Sequence, residues 1–115
     1  MSGTAIYILD RMVSLPGQGR DLHEAYLEGY APGARARGMT LVTQLVSPPV
    51  WQEDGGNTLV YLWRVEGAAG FWKKNNLGRR EPAVRAWWAM AEVMMSSRSR
   101  DTLADPADLA ALADV

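Results

Sequence analysis

Cysteine is absent from this 115-residue chain, and histidine and phenylalanine occur once each, as His23 and Phe71. Without cysteine there are no disulfides, no thiolate metal sites and no cysteine nucleophile. A single histidine rules out a histidine-rich metal site. With no second histidine and no Gly-x-Ser-x-Gly elbow, nothing supports a serine triad. Gly17 and Gly19 lack the wider spacing of a phosphate-binding loop, and the carboxylates are scattered rather than clustered for calcium or zinc. The formal net charge of −1 leaves no basic footprint for nucleic acid or anionic lipid. No run approaches the roughly 20 apolar residues of a membrane span. The N-terminus has no charged segment followed by a long apolar run, as a secretory signal would. We therefore expect a soluble, cytoplasmic protein with neither nucleic acid nor membrane as partner.

What the chain does have is aromatic mass: five Trp and four Tyr, with 48% hydrophobic residues overall. Trp is seldom placed on bare surface. One domain of this size buries only about two-thirds of its unfolded surface, so self-association is a natural supplement.

Thr58–Glu66, TLVYLWRVE, is the clearest element. It follows the turn-forming run Asp54-Gly55-Gly56-Asn57 and carries one internal charge, Arg64, so it reads as a buried strand covered on both faces. Ahead of it, Thr4–Leu15 (TAIYILDRMVSL) is a first strand, ended by Pro16-Gly17. A helix begins near Asp21, with Leu22, Tyr26 and either Gly29 or Tyr30 facing inward. Pro32-Gly33 should kink it, and Arg35, Arg37 and Gly38 close it. Met39–Val46 is a second strand, stopped by Pro48-Pro49, and Trp51 lies in the loop that follows, capping the core or meeting a partner chain.

After the central strand, Gly67–Leu77 reads as a helix with Phe71 and Trp72 inside and Lys73 and Lys74 outside. Glu81-Pro82 opens another helix, with Val84, Trp87, Trp88 and Ala91 on its apolar face. Met94–Leu103 then reads as an edge strand, with Arg98, Arg100 and Asp101 guarding it against aggregation. We expect residues 1–104 to form the domain and residues 105–115 an alanine-rich appendage.

The order βαββαβ is the split βαβ, ferredoxin-like arrangement of α+β proteins, with a four-stranded antiparallel sheet. Strands one and three should be central neighbours, which we expect to run parallel to each other. If the strands pair without bulges, the odd residues (Tyr7, Leu9, Leu41, Leu45, Tyr61, Trp63) share the face under the helices. The even residues (Ile8, Asp10, Val42, Leu62, Arg64) share the other. A one-residue bulge would swap the faces of the affected strand.

The segments AIYILDRMVSLPG, YLEGYAPGARARGMTLV, YLWRVEG and EPAVRAWWAMAEVMMSSRSRDTL, in this order and spacing, resemble the NIPSNAP-like group. That group belongs to the dimeric α+β barrel superfamily. The resemblance covers about residues 4 to 104. It implies a homodimer of face-to-face sheets with helices outside, and a ligand cavity between each sheet and its helices. Superfamily relatives include cofactor-free monooxygenases, lactone isomerases, polyketide cyclases and haem-binding enzymes, so the fold leaves the function open.

Asp10 and Arg64 have matching parity. They are either a structural ion pair at the dimer interface, or a desolvated general base with a cation holding an anionic intermediate. His23 is either a surface histidine or a proton shuttle. Tyr7, Tyr26, Tyr30, Trp63, Trp72, Trp87 and Trp88 are either core or the walls of a cavity for a flat hydrophobic ligand. Arg11 is the one cation expected on the aromatic face, where it would reach the rim or orient a ligand anion. We thus read catalytic candidates Asp10, His23 and Arg11, and substrate-binding candidates Tyr7, Tyr26, Tyr30, Trp63, Trp87 and Arg64. No metal or cofactor is expected. The function expected is proton transfer (a cyclase or isomerase) or monooxygenase-type oxygenation of a hydrophobic, aromatic or polyketide-like molecule. The alternative is a non-catalytic dimeric ligand-binding or accessory domain.

Overall fold

The computed structural model describes residues 4–113, apart from the side chains of Ala68, Lys74, Gly78, Arg79 and Arg80. The expected outward position of Lys74 and the outer ends of the two expected regions, 1–104 and 105–115, thus lie outside the described residues.

Strand β1 is Ala5–Ser14, β2 is Thr40–Ser47, β3 is Thr58–Glu66 and β4 is Met95–Ala104. They form one sheet in the order β2-β3-β1-β4. The two strands richest in apolar residues are therefore central, and β4, with its Ser and Arg residues, is an edge. Every pairing is antiparallel, including β1 with β3. The expectation that β1 and β3 run parallel is corrected. In a split βαβ unit the strand that slips between the two parallel ones must run against both, and here that strand is β3.

The first helical stretch packs on one face of the sheet in three parts. Helix α1 spans Gly19–Ala25, a π-helical turn spans Tyr26–Tyr30, and α2 spans Ala31–Ala36. Pro32 lies in the first turn of α2, where its missing N–H costs nothing. The π turn, closed by the Ala31 N–H on the Tyr26 carbonyl, absorbs the break expected at Pro32-Gly33. Leu22, Tyr26 and Tyr30 all point inward and are buried.

Gly67, at φ +57°, lets β3 turn straight into helix α3, Gly67–Arg80. Helix α4, Pro82–Ala91, starts on the side chain of Glu81, which accepts from the Ala83 N–H. Its Trp87 and Ala91 are buried as the spacing predicted. Phe71 packs against the core, but Trp72 is 57% exposed, against expectation. Adjacent helical residues point about 100° apart, so Phe71 and Trp72 cannot both face one sheet. A 3₁₀ turn and a short helix α5, Leu109–Ala113, follow β4 and bury nothing.

The register decides the faces. Ile8, Asp10 and Met12 of β1 lie opposite Trp63, Tyr61 and Leu59 of β3, and this set is buried beneath the helices. The opposite face carries Tyr7, Leu9, Arg11 and Val13 with Arg64, Leu62, Val60 and Thr58. The shared-parity assignment is thus reversed for β1, because the antiparallel register matches even residues of β1 with odd residues of β3. A bulge between Leu41 and Thr43 also switches β2 partway along. Leu41 shares the helix face with Trp63, whereas Leu45 sits opposite Val60 on the open face, 63% exposed.

Asn57 holds the connection from β2 to β3. Fully buried, it donates through Nδ2 to the Val50 carbonyl at 2.8 Å and accepts from the Gln52 N–H at 3.1 Å. Its own N–H donates to Ser14 Oγ at 2.9 Å. These bonds fix the loop that carries Trp51 against the core.

Gly29 tests the packing of the π turn against α4. A Cβ there would lie 2.4 Å from Trp87 Nε1 and 2.5 Å from its Cδ1, and the same indole N–H is held on the Ala25 carbonyl at 3.1 Å. Helix propensity alone favours Ala over Gly by about 1 kcal/mol. Overpacking a closed contact costs about 1–3 kcal/mol. Gly29→Ala should therefore destabilise the protein by up to about 2 kcal/mol in urea denaturation; a gain in stability would refute this packing.

Candidate functional site

The site grows from one buried carboxylate. Asp10 lies mid-strand on the helix face of β1 and is 1% exposed. A charge in such a place needs compensation. Its strand neighbour across the β1–β4 ladder is Arg100. The guanidinium donates from Nε to Oδ1 at 2.6 Å and from one Nη to Oδ2 at 2.9 Å, a two-pronged ion pair. The same Nη also donates to the Tyr30 hydroxyl at 2.7 Å. From the other side, the Tyr26 hydroxyl donates to Oδ2 at 2.7 Å and accepts from Trp63 Nε1 at 2.6 Å.

This cluster joins two strands, the π turn and the central strand. The π turn presents Tyr26 and Tyr30 four residues apart on one side, their rings 5.0 Å apart. Burial pushes the Tyr26 hydroxyl well above its ordinary pKa, and the charge of Asp10 pushes it further. Tyr26 therefore stays a donor to the carboxylate across the physiological range. Burial and then Asp10 raise Tyr61 in the same way. The cation beside Asp10 is thus Arg100 and not Arg64, which correction follows from the register. Arg64 points to the open face and pairs with Glu66 at 2.5 Å, both partly exposed. In the sequence Arg100 reads only as an edge guard; its place opposite Asp10 comes from the β1–β4 register.

A cavity of about 450 Å³ opens beside the pair, lined by Asp10, Trp88, Arg98, Ser99 and Arg100. Arg98 stacks over the Trp88 ring at 4.1 Å, and Arg100 lies 5.7 Å from the same ring. The walls thus offer one buried carboxylate, two guanidinium groups and an aromatic face. In the sequence Trp88 is among the aromatics read as core or cavity wall, whereas Arg98 reads only as an edge guard. Their pairing depends on α4 lying over β4, which spacing alone does not reveal.

The other candidates separate into three places. Tyr26, Tyr30, Trp63 and Trp87 form a continuous aromatic core behind the carboxylate, with Tyr26 stacked on Tyr61 at 3.9 Å. His23 stands outside the Asp10 cavity, its Nδ1 2.7 Å from the Tyr61 hydroxyl and its ring 5.5 Å from Trp51. Tyr7, Arg11 and Arg64 all lie on the open face. The placing of Arg11 on the aromatic face is thereby corrected, again by the register: it sits opposite Val60 and is exposed. Among the described residues no group of three His, Cys, Asp or Glu side chains could hold a metal ion, and no helix is long and apolar enough to cross a membrane.

The architecture is the ferredoxin-like α+β fold, one four-stranded antiparallel sheet with helices packed on it. Solved structures share it at low sequence identity. A NIPSNAP domain protein from Burkholderia xenovorans superposes with a TM-score of 0.67 at 10% identity, over 89% of this chain and 95% of that one. A NIPSNAP family protein from Agrobacterium tumefaciens gives 0.66 at 10% identity, over 86% and 90%. SnoaB, a cofactor-independent oxygenase from Streptomyces nogalater, gives 0.60 at 9% identity, over 89% and 93%. The NIPSNAP-like resemblance read from the order of segments is therefore borne out in the fold. No family model matches the sequence, and no curated protein matches it either.

Two measurements probe the site. Removing one partner of a buried ion pair costs about 3–5 kcal/mol; because the Arg100 side chain is 36% exposed, Arg100→Ala should cost somewhat less, about 2–3 kcal/mol. Arg64→Ala should stay within about 1 kcal/mol of wild type, as for surface pairs. Equal losses in denaturant titration would contradict this assignment of partners. For His23, burial lowers the pKa below its ordinary 6.5, only partly offset by Glu24. The unfolded chain then takes up the proton first. Stability from this group is complete above about pH 6.5 and falls as the pH drops through the folded value. His23→Gln should flatten that decline; an unchanged pH slope would show that His23 titrates as if free.

Proposed function

We propose that this protein is a small homodimeric enzyme that works without a cofactor on a hydrophobic, aromatic or polyketide-like molecule. The observation that carries this reading is the buried Asp10 carboxylate at the wall of a cavity that also offers two guanidinium groups and the Trp88 face. A flat substrate lies against Trp88. Its acidic C–H faces Asp10, and its neighbouring carbonyl or phenolic oxygen faces Arg98 and Arg100.

Proton transfer to Asp10 removes the carboxylate charge that holds Arg100, so the guanidinium becomes free to stabilise the enolate oxygen as it forms. The charge moves from protein to substrate without leaving Arg100 unpaired. In a cyclisation or isomerisation the proton returns to a different carbon. In an oxygenation the carbanion adds to dioxygen and the proton completes a hydroperoxide, R–H + O₂ giving R–OOH. SnoaB, described as a cofactor-independent oxygenase, has the same fold and lends this second course its support.

A homodimer is supported by the open sheet face, where Leu9, Val13, Val60 and Leu62 lie with Leu45 and with Leu103, which is 43% exposed. An apolar face of this kind calls for cover, and a second sheet supplies it. A binding role without catalysis is favoured by one observation only: Asp10 already accepts three hydrogen bonds.

Deuterium exchange at the acidic carbon of an anthrone, followed by NMR under nitrogen, separates the two readings. The enzyme reading expects acceleration over buffer, reduced about 10²–10⁴-fold in Asp10→Asn and unchanged in Arg11→Ala. Anthrone binding with no acceleration, or full acceleration in Asp10→Asn, would sink it. Sedimentation at micromolar concentration should give twice the chain mass.

A further inference from the structure

A second cavity, of about 480 Å³, lies on the outer side of Tyr30, between the π turn with α2 and the junction of α3 and α4. That volume is within the roughly 300–1,000 Å³ of small-molecule pockets. Its walls are largely apolar, including Leu77, Val84 and Trp87. Two of its charged groups differ in what they have to do. Glu81 accepts from the Ala83 N–H at the start of α4. Arg37 caps the end of α2, and its Nε is buried without a hydrogen-bond partner among the described residues.

A buried, unpaired donor on a guanidinium is expensive, costing more than the usual 1–3 kcal/mol for a neutral group. The group is nonetheless held in place. Its guanidinium lies 5.6 Å from the Tyr30 ring, and a Cβ on Gly33 would approach its Nη1 to 3.2 Å, so glycine leaves the arginine its room. What the arginine lacks is an acceptor, and a carboxylate fits its fork of donors best.

We propose that this cavity binds an amphipathic carboxylate, with the acid on Arg37 and the hydrocarbon or aryl body against Leu77, Val84 and Trp87. The site is separate from the Asp10 cavity, with the Tyr30 ring standing between them, and does not depend on the activity proposed for it.

Decanoate and decanol, titrated by calorimetry below their aggregation limits, form the test. Wild-type protein should bind decanoate at least about tenfold more tightly than decanol, the discrimination of a charge-assisted hydrogen bond. Arg37→Gln should lose that preference and keep decanol binding, and Arg37→Lys should retain part of it. Val84→Trp, which fills the cavity from the α4 wall, should lose both ligands. Asp10→Asn should change neither. No decanoate binding by wild type, equal binding of acid and alcohol, undiminished binding by Val84→Trp, or loss of decanoate binding by a folded Asp10→Asn would overturn the proposal, and the wild-type and Val84→Trp titrations decide it even where Arg37→Gln does not fold.

Discussion

A carboxylate at the centre of a buried sheet face is the constraint around which this structure is arranged. Asp10 is 1% exposed on a strand flanked by apolar residues. Its charge must be met from within, because several kcal/mol of lost hydration has no other source of compensation. Three donors meet it, from β4 and from the π turn. That requirement explains features that look unrelated in the chain. It explains an arginine midway along a Ser-rich edge strand, and two tyrosines four residues apart in a helix that widens to a π turn where they sit. It also explains an indole N–H on β3 spent on a tyrosine oxygen. Each is a hydrogen-bond partner, or a partner's partner, of one charge.

The same network sets how the molecule divides its two faces. Behind Asp10, Tyr26, Tyr61 and Trp63 fill the space under the helices, and Tyr61 carries the order outward to His23 and Trp51. Beside Asp10 the packing stops, and cavities open on either side of Tyr30. Among the described residues the opposite sheet face keeps its leucines and valines partly exposed. The proposed chemistry and the proposed self-association thus use opposite sides of one four-stranded sheet, and mutations aimed at one need not touch the other.

Much of the fold was legible in the residues. TLVYLWRVE marked β3 to its last residue, because turn-forming residues precede it and a glycine able to adopt positive φ follows it. Glu81-Pro82 marked the start of α4 for the same kind of reason, since capping and proline chemistry are local. The apolar run of Thr4–Leu15 marked β1 as a strand. It could not say which face was which. That depends on the antiparallel register between strands some fifty residues apart, and a shift of one position exchanges every side chain.

Sequence by itself determined the elements, their order and the need for a partner to Asp10, because propensity, turn chemistry and the cost of a buried charge act over a few residues. Only the tertiary structure decided that the partner is Arg100, that Arg64 and Arg11 belong to the other face, and that Arg98, Trp88 and Arg37 border cavities. Those facts follow from strand register and from which helix lies over which strand, and such long-range geometry leaves no mark on the neighbouring residues of the chain.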